Sequence, residues 1–364
     1  MYFLRRLHRH YFERCLPQLW WQFSATPDPA RRKITQASSI NVACTRTLIQ
    51  AHLSIDLTYF NMPKTTLSAR HIVTALIVIF LWGMNFVVIK IGLKGIPPFL
   101  LGALRFMLVA FPAILFLPRP KVPLKWLLAY ALTISLGQFA FLFSAMAVGM
   151  PAGLASLVLQ AQAFFTVGFS ALVFGDKLRV ANLLGMLIAS IGLALLGSAS
   201  LANSASHVTL LGLALMICAA ISWASGNVIS KKIGPTSVLS LVAWSALVPI
   251  LPFFMLSFWF EGPEVISYSL RNLSLPSLLT VVYLAFAATL IGYTLWGRLL
   301  ASLPTHMVAP LTLMVPVVGL TAAWVLLDEA LQATQIAGAA IVMCGLLINV
   351  FGQRLSEIVR RVFG

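Results

Sequence analysis

From Ile72 onward the chain alternates between long stretches without charge and short polar breaks. Ten apolar segments can be read, at roughly 72–91, 99–117, 126–147, 151–174, 182–199, 209–230, 238–259, 277–298, 305–327 and 334–352. Each approaches or exceeds the ~20 residues a helix needs to cross a ~30 Å hydrocarbon core. Alternation of apolar and polar positions in ~10-residue pieces, the mark of a membrane barrel, is absent. The pattern therefore predicts an all-α integral membrane protein of ten transmembrane helices. Breaks this short make successive helices antiparallel neighbours. The fourth segment shows the punctuation most clearly: Pro151 stands where a helix start loses nothing by lacking an N–H, and Gly175 with Asp176 and Lys177 stops it.

The segments repeat. A shift of 153 residues lays Tyr130 on Tyr283, Pro151 on Pro304, Asp176 on Glu329, Gly185 on Gly338 and Gly192 on Gly345. Upstream the shift is 141, pairing Trp82 with Trp223 and Lys90 with Lys231, and a longer polar loop around residues 261–274 absorbs the difference. Each half then holds five spans. Five is odd, so the second half must sit inverted, the architecture that places transporter sites near the midplane where two repeats meet. The expected organisation is a poorly ordered basic extension (1–65), a first repeat (66–203), a second repeat (204–352) and a cytoplasmic tail (353–364).

Composition agrees. Of 364 residues 60% are hydrophobic and 9% charged, against about 25% charged in soluble domains. The net charge of +16 would suggest nucleic acid in a soluble chain. Here the bases sit in short loops, where they set orientation, and no nucleic-acid partner is expected. With a cytoplasmic N-terminus, Arg119, Lys121, Lys125, Lys177, Arg179, Lys231, Lys232, Arg298, Arg354, Arg360 and Arg361 lie inside, against Lys90, Lys94 and Arg271 outside. Both termini are thus expected in the cytoplasm. Arg5, Arg6, Arg9, Glu13 and Arg14 interrupt any signal-peptide core in the extension. The four cysteines lack metal or C-x-x-C spacing; Cys218 and Cys344, inside apolar segments, are expected as small core residues. No metal and no cofactor are implied.

Polar residues inside spans are the candidates for chemistry, because the bilayer makes them costly. Trp82, Phe86 and Lys90 share one helix face with Asn85 beside it, and Trp223, Asn227 and Lys231 repeat the spacing. Two such faces brought together would wall an amphipathic cavity. Gln160 and Gln162 fall about 200° apart on an α-helix. They are therefore expected to face different surroundings, Gln160 the path and Gln162 a neighbouring helix. Arg105 could snorkel outward, pair with a carbonyl or hold a substrate carboxylate. Tyr130, Tyr283, Tyr293 and Trp296 are further polar aromatics. Pro112, Pro249, Pro252, Pro310 and Pro316 permit kinks and are the candidate hinges. Gly185, Gly192, Gly338 and Gly345 present small faces for helix packing. No carboxylate lies mid-span, which speaks against a buried acid relay.

Trp82-Gly83-Met84-Asn85-Phe86, Leu104-Arg105-Phe106, Pro151-Ala152-Gly153-Leu154-Ala155-Ser156, Gly175-Asp176-Lys177-Leu178, Trp223-Ala224-Ser225-Gly226-Asn227, Ala309-Pro310 and Leu327-Asp328-Glu329 together resemble the EamA family of the drug/metabolite transporter superfamily, over roughly residues 66–352. The runs 155–165 and 105–113 look most like its bacterial inner-membrane exporters of O-acetylserine and cysteine. Asp176-Lys177 departs from the family's usual Glu and Arg but keeps the charge signs. The resemblance implies ten helices in two repeats. It also implies efflux of small amino-acid-like metabolites across the bacterial inner membrane, with the small-molecule substrate and the lipid bilayer as partners. A drug or other-metabolite exporter is the alternative. A membrane-embedded enzyme is remote, since H-E-x-x-H, G-x-S-x-G and the P-loop pattern are all missing.

Overall fold

The computed structural model describes residues 68–202, 209–303 and 305–363; the basic extension expected at 1–65 lies outside them. The described chain is helical and forms one unit from Leu67 onward. Its helices are α1 (Ala69–Gly92), α2 (Pro98–Phe116), α3 (Leu124–Ala147), α4 (Ala152–Phe174), α5 (Val180–Ala202), α6 (Leu210–Ile233), α7 (Val238–Glu261), α8 (Pro263–Arg271), α9 (Leu275–Ser302), α10 (Leu311–Leu327) and α11 (Ala333–Phe363). Among the described residues nine helices are long and apolar enough to span a bilayer; α10 is the shorter apolar one. The polar stretch after Glu261, expected as a loop, instead holds α8. Gly262 takes φ +85° to turn the chain, Pro263 opens the helix, and Glu264 and Arg271 sit at the ends that suit their charges. The α11 helix runs on past the last apolar segment to Phe363.

Five helices are not regular. Residues 131–137 of α3 and 283–291 of α9 wind as π-helix, and so does the end of α7 at 257–261. Residues 159–161 of α4 and 309–313, where α10 begins, wind as 3₁₀. Among the candidate hinge prolines, Pro112 lies within an uninterrupted α2, whereas Pro249 closes a non-helical turn at 246–249 in α7, with Pro252 just beyond. Pro310 falls in the 3₁₀ turn and Pro316 in the first turn after it.

Two carboxylates clamp helix ends. Glu329, just past α10, accepts from the backbone N–H of Ala152 (3.0 Å) and Gly153 (3.1 Å) at the start of α4. Glu261, ending α7, accepts from Phe99 (2.6 Å) and Leu100 (3.2 Å) at the start of α2. Orphan N–H groups and the helix dipole both favour an anion there. Gly175 and Asp328, which close α4 and α10, both adopt left-handed φ (+69° and +53°), so the chain turns sharply at corresponding points. Beyond Gly175, Asp176 pairs with Lys231.

Helix α1 packs against α10, α9 and α4; α6 against α3 and α4; α2 against α7; α5 along α11. The α5–α11 seam depends on glycine. A Cβ on Gly345 would lie 2.6 Å from the Gly185 carbonyl oxygen, one on Gly192 would lie 2.8 Å from that of Gly338, and Asn182 bonds Asn349 across the same seam at 2.7 Å. Cys218 and Cys344, expected in the core, are exposed on the outside of α6 and α11. The outer surface of a membrane bundle is as apolar as its interior, so an apolar segment alone does not assign a face.

Because backbone atoms cannot retreat, Gly345→Val should cost about 1–3 kcal/mol and lower the thermal midpoint in detergent. Gly168→Ala, at a helical position where a Cβ meets nothing within 4 Å, should leave stability unchanged or raise it by roughly 0.5–1 kcal/mol. Equal midpoints for Gly345→Val and wild type would contradict the packing described.

Candidate functional site

The irregular stretches of α3, α4, α9 and α10, though not those of α7, border one cavity of about 350 Å³. A second crevice, lined by Pro112, Phe116, Leu290 and Leu295 with Thr294 as its polar side chain, carries no charged group. The polar cavity is built by α1, α2, α3, α4, α6 and α9, with Thr312 and Val315 from α10. Its wall contains Trp82, Asn85, Arg105, Gln160, Trp223, Asn227 and Tyr293, every substrate-binding candidate read from the sequence. The lining reaches Ser230 and Val238 at the α6–α7 turn and Leu300 late in α9. Toward the other end it stops at Phe86, Leu142 and Ser156; beyond them Ile89, Met146 and Met150 are fully buried. There Lys90 donates to the carbonyls of Met146 (3.3 Å) and Met150 (3.5 Å).

Trp82 enters from α1 because Gly292 has no side chain; a Cβ there would sit 2.7 Å from the indole nitrogen. The indole donates to Ala288 O (3.0 Å), in the π-helical stretch of α9, and its ring lies 5.4 Å from both Tyr293 and Trp296. The corresponding stretch of α3 is met in the same way, with Ser222 of α6 donating to Thr133 O (2.9 Å). Tyr283 donates to Leu81 O (2.8 Å) and does not reach the cavity, whereas Tyr130 does.

Gln160 and Gln162 both line the cavity, contrary to the expectation that they face apart. The reason is the 3₁₀ turn over 159–161. At 3.0 residues per turn, two steps rotate by roughly 240°, leaving the side chains about 120° apart instead of about 160°. Gln160 donates to Thr312 O (2.8 Å), in the 3₁₀ turn that opens α10. The Gln162 oxygen accepts from Asn227 of α6 (2.8 Å), and Asn227 also reaches Thr166.

Arg105 is 2% exposed, so it does not snorkel. Its guanidinium stacks over Phe139, 3.9 Å from the ring centroid, and Nη2 donates to the Thr289 hydroxyl (2.9 Å). Thr289 in turn donates to Leu284 O five residues back, a partner that the π-helical winding of α9 brings within reach. Arg105 Nε and Nη1 have no partner, and neither do Asn85 Oδ1 and Gln138 Oε1. No Asp or Glu lines the cavity. Gln138 escaped the sequence reading, although it is a mid-span glutamine, the same signal that picked out Gln160. Thr289 carried no signal, since a threonine in an apolar run reads as packing.

Comparison with known proteins follows the same outline. The chain matches the EamA-like transporter family over residues 69–198 and 210–351. It is 54% identical over 290 residues to a probable amino-acid metabolite efflux pump of Salmonella typhimurium, covering 79% of this chain and 96% of the relative. A probable amino-acid metabolite efflux pump of Escherichia coli is 52% identical over 298 residues (81% and 99%). A protein crystal structure 21% identical in sequence superposes with a TM-score of 0.54 over 80% of this chain and 98% of that one, a likeness of fold. With both halves matched and relatives above half identity over nearly their whole length, the chain belongs to the EamA-like transporter family, and it is a multi-pass membrane transporter rather than an enzyme.

Proposed function

We propose that this protein is an inner-membrane efflux carrier for small amino-acid-like metabolites of the O-acetylserine and cysteine type, working by alternating access between two inverted five-helix repeats. The observation that carries the reading is the buried Arg105, which lines a cavity that holds no acid and keeps two guanidinium nitrogens without a partner. A cation so placed is costly unless a ligand carboxylate completes it. The cavity volume is at the low end of the ~300–1,000 Å³ range of ligand sites, which favours an amino-acid-sized cargo over a drug. Both curated relatives above half identity carry amino-acid metabolite efflux in their descriptions.

The repeat reading draws support from the packing. Exchanging α1–α5 with α6, α7, α9, α10 and α11 turns the contact α1–α10 into α6–α4 and α1–α9 into α6–α3, and returns α2–α7, α4–α10 and α5–α11 to themselves. The π stretches of α3 and α9 and the 3₁₀ turns of α4 and α10 also correspond, at or near the 153-residue shift. Alternating access draws support from the cavity reaching one end of the bundle while Lys90, Met146 and Met150 close the other. In the expected orientation the open end is cytoplasmic, which suits loading for export. Trp82, Asn85, Gln160, Trp223, Asn227 and Tyr293 would then form the substrate wall, the breaks near Pro249, Pro252, Pro310 and Pro316 would flex, and Pro112 would bend α2. Gln162 and the four glycines would hold helices together.

Export of a panel of amino-acid metabolites from overproducing cells tests the function. Wild type should raise at least one such metabolite in the medium over empty vector. Arg105→Gln at equal membrane abundance should cut that export about tenfold or more, the loss expected when a charged hydrogen bond worth roughly 1.5–3 kcal/mol disappears. No difference between wild type and empty vector for any amino-acid metabolite would overturn the proposal. In proteoliposomes, preloaded unlabelled substrate should accelerate entry of labelled substrate. A rate indifferent to preloading would indicate a pore.

A further inference from the structure

An amino acid differs from other small carboxylates by its ammonium group, and the unpaired atoms of the cavity bear on both ends. Among the described residues, four buried side-chain nitrogen or oxygen atoms lack a partner, on Asn85, Arg105 and Gln138. All three residues line the polar cavity described above. Each is at least nine-tenths buried, with exposures of 9%, 2% and 3%. Buried polar groups in folded proteins are almost always satisfied, so a cluster of exceptions marks where a ligand is missing. The exceptions are of two kinds. Arg105 Nε and Nη1 are donors on a cation, while Asn85 Oδ1 and Gln138 Oε1 are acceptors on neutral amides.

We infer that the cavity reads both charges of a zwitterion. Arg105 takes the α-carboxylate, and the amide oxygens of Asn85 and Gln138 take hydrogens of the α-ammonium. This deepens the efflux proposal and rests on it. The two acceptors come from different helices, Asn85 from α1 and Gln138 from the residue that follows the π-helical stretch of α3. Gln138 adjoins Phe139, the ring under the Arg105 guanidinium, so the acceptor and the cation are anchored on consecutive residues. With no carboxylate on the wall, the ammonium is held by carbonyl dipoles and by the faces of Trp82, Tyr293 and Trp296, not by a counter-ion. A carboxylate in the wall would instead pair with Arg105 and remove its demand for a ligand anion. A ligand that lacks the ammonium leaves the amide oxygens dry and unpaired; one that lacks the carboxylate leaves the guanidinium so. Sites built to hydrogen-bond a group discriminate strongly against analogues without it.

The test uses purified full-length protein and three probes of one scaffold: cysteine, 3-mercaptopropionate (no ammonium) and cysteamine (no carboxylate), kept reduced, with binding followed by titration. Cysteine should bind on the order of tenfold or more tighter than either analogue. Gln138→Leu and Asn85→Leu should each lower the ratio of cysteine to 3-mercaptopropionate affinity while keeping the preference for cysteine over cysteamine, which also reports that the site is still folded. Arg105→Gln should do the converse. The wild-type comparison needs no variant to fold. If 3-mercaptopropionate or cysteamine matches cysteine, two-ended recognition is wrong while the export proposal stands on its own panel. If none of the three binds, the two-ended site and the cysteine-type cargo both fall.

Discussion

Inside hydrocarbon, no water is available to a backbone group that loses its helical partner. That constraint bears on this bundle, because α3, α4, α9 and α10 are irregular where they border its cavity. A π-helical or 3₁₀ stretch changes which carbonyls and N–H groups pair within their own helix, and side chains from other helices bond carbonyls in these stretches. Trp82 does this for Ala288, Ser222 for Thr133 and Gln160 for Thr312. Each of these bonds ties one half of the chain to the other. Trp82 and Gln160 thus serve both as cavity wall and as partners of the irregular stretches around it.

The deviations also set the chemistry. Without the π-helical winding of α9, Thr289 would not bond Leu284 and would not present its hydroxyl to Arg105 as it does. Without the 3₁₀ turn in α4, Gln160 and Gln162 would diverge further, and one of them would leave the cavity. The glycine seam between α5 and α11 and the carboxylate clamps at Glu261 and Glu329 stand apart from this region. They fasten helix faces and ends so that the middle can stay irregular.

Much of the architecture was legible beforehand because the bilayer imposes it. Length and charge spacing located the spans, since a helix must cover a set thickness and charge must stay out. The repeat was proposed from the chain alone because residues such as Asp176 and Glu329, or Gly185 and Gly338, recur 153 positions apart. The substrate-wall candidates were found by a single rule, that mid-span polarity is expensive, and the structure gathers all seven around one cavity. The same rule applied evenly would also have named Gln138.

What the chain could not reveal by pattern was anything that depends on facing. In a soluble protein apolar periodicity separates core from surface; in a membrane bundle both are apolar, and Cys218 and Cys344 were placed inside when they lie outside. Local winding was equally hidden, because π and 3₁₀ stretches arise from contacts between helices distant in sequence, and the angle between Gln160 and Gln162 followed from it. The fate of Arg105 belongs to the same class. Sequence determined that a lone cation sits in a span, since the residue is simply there. Only the packing of α2 against α3 and α9 decided that it is sealed from lipid, stacked on Phe139, held by Thr289 and left with two unpartnered guanidinium nitrogens, because each of those is a relation between helices that the one-dimensional order does not contain.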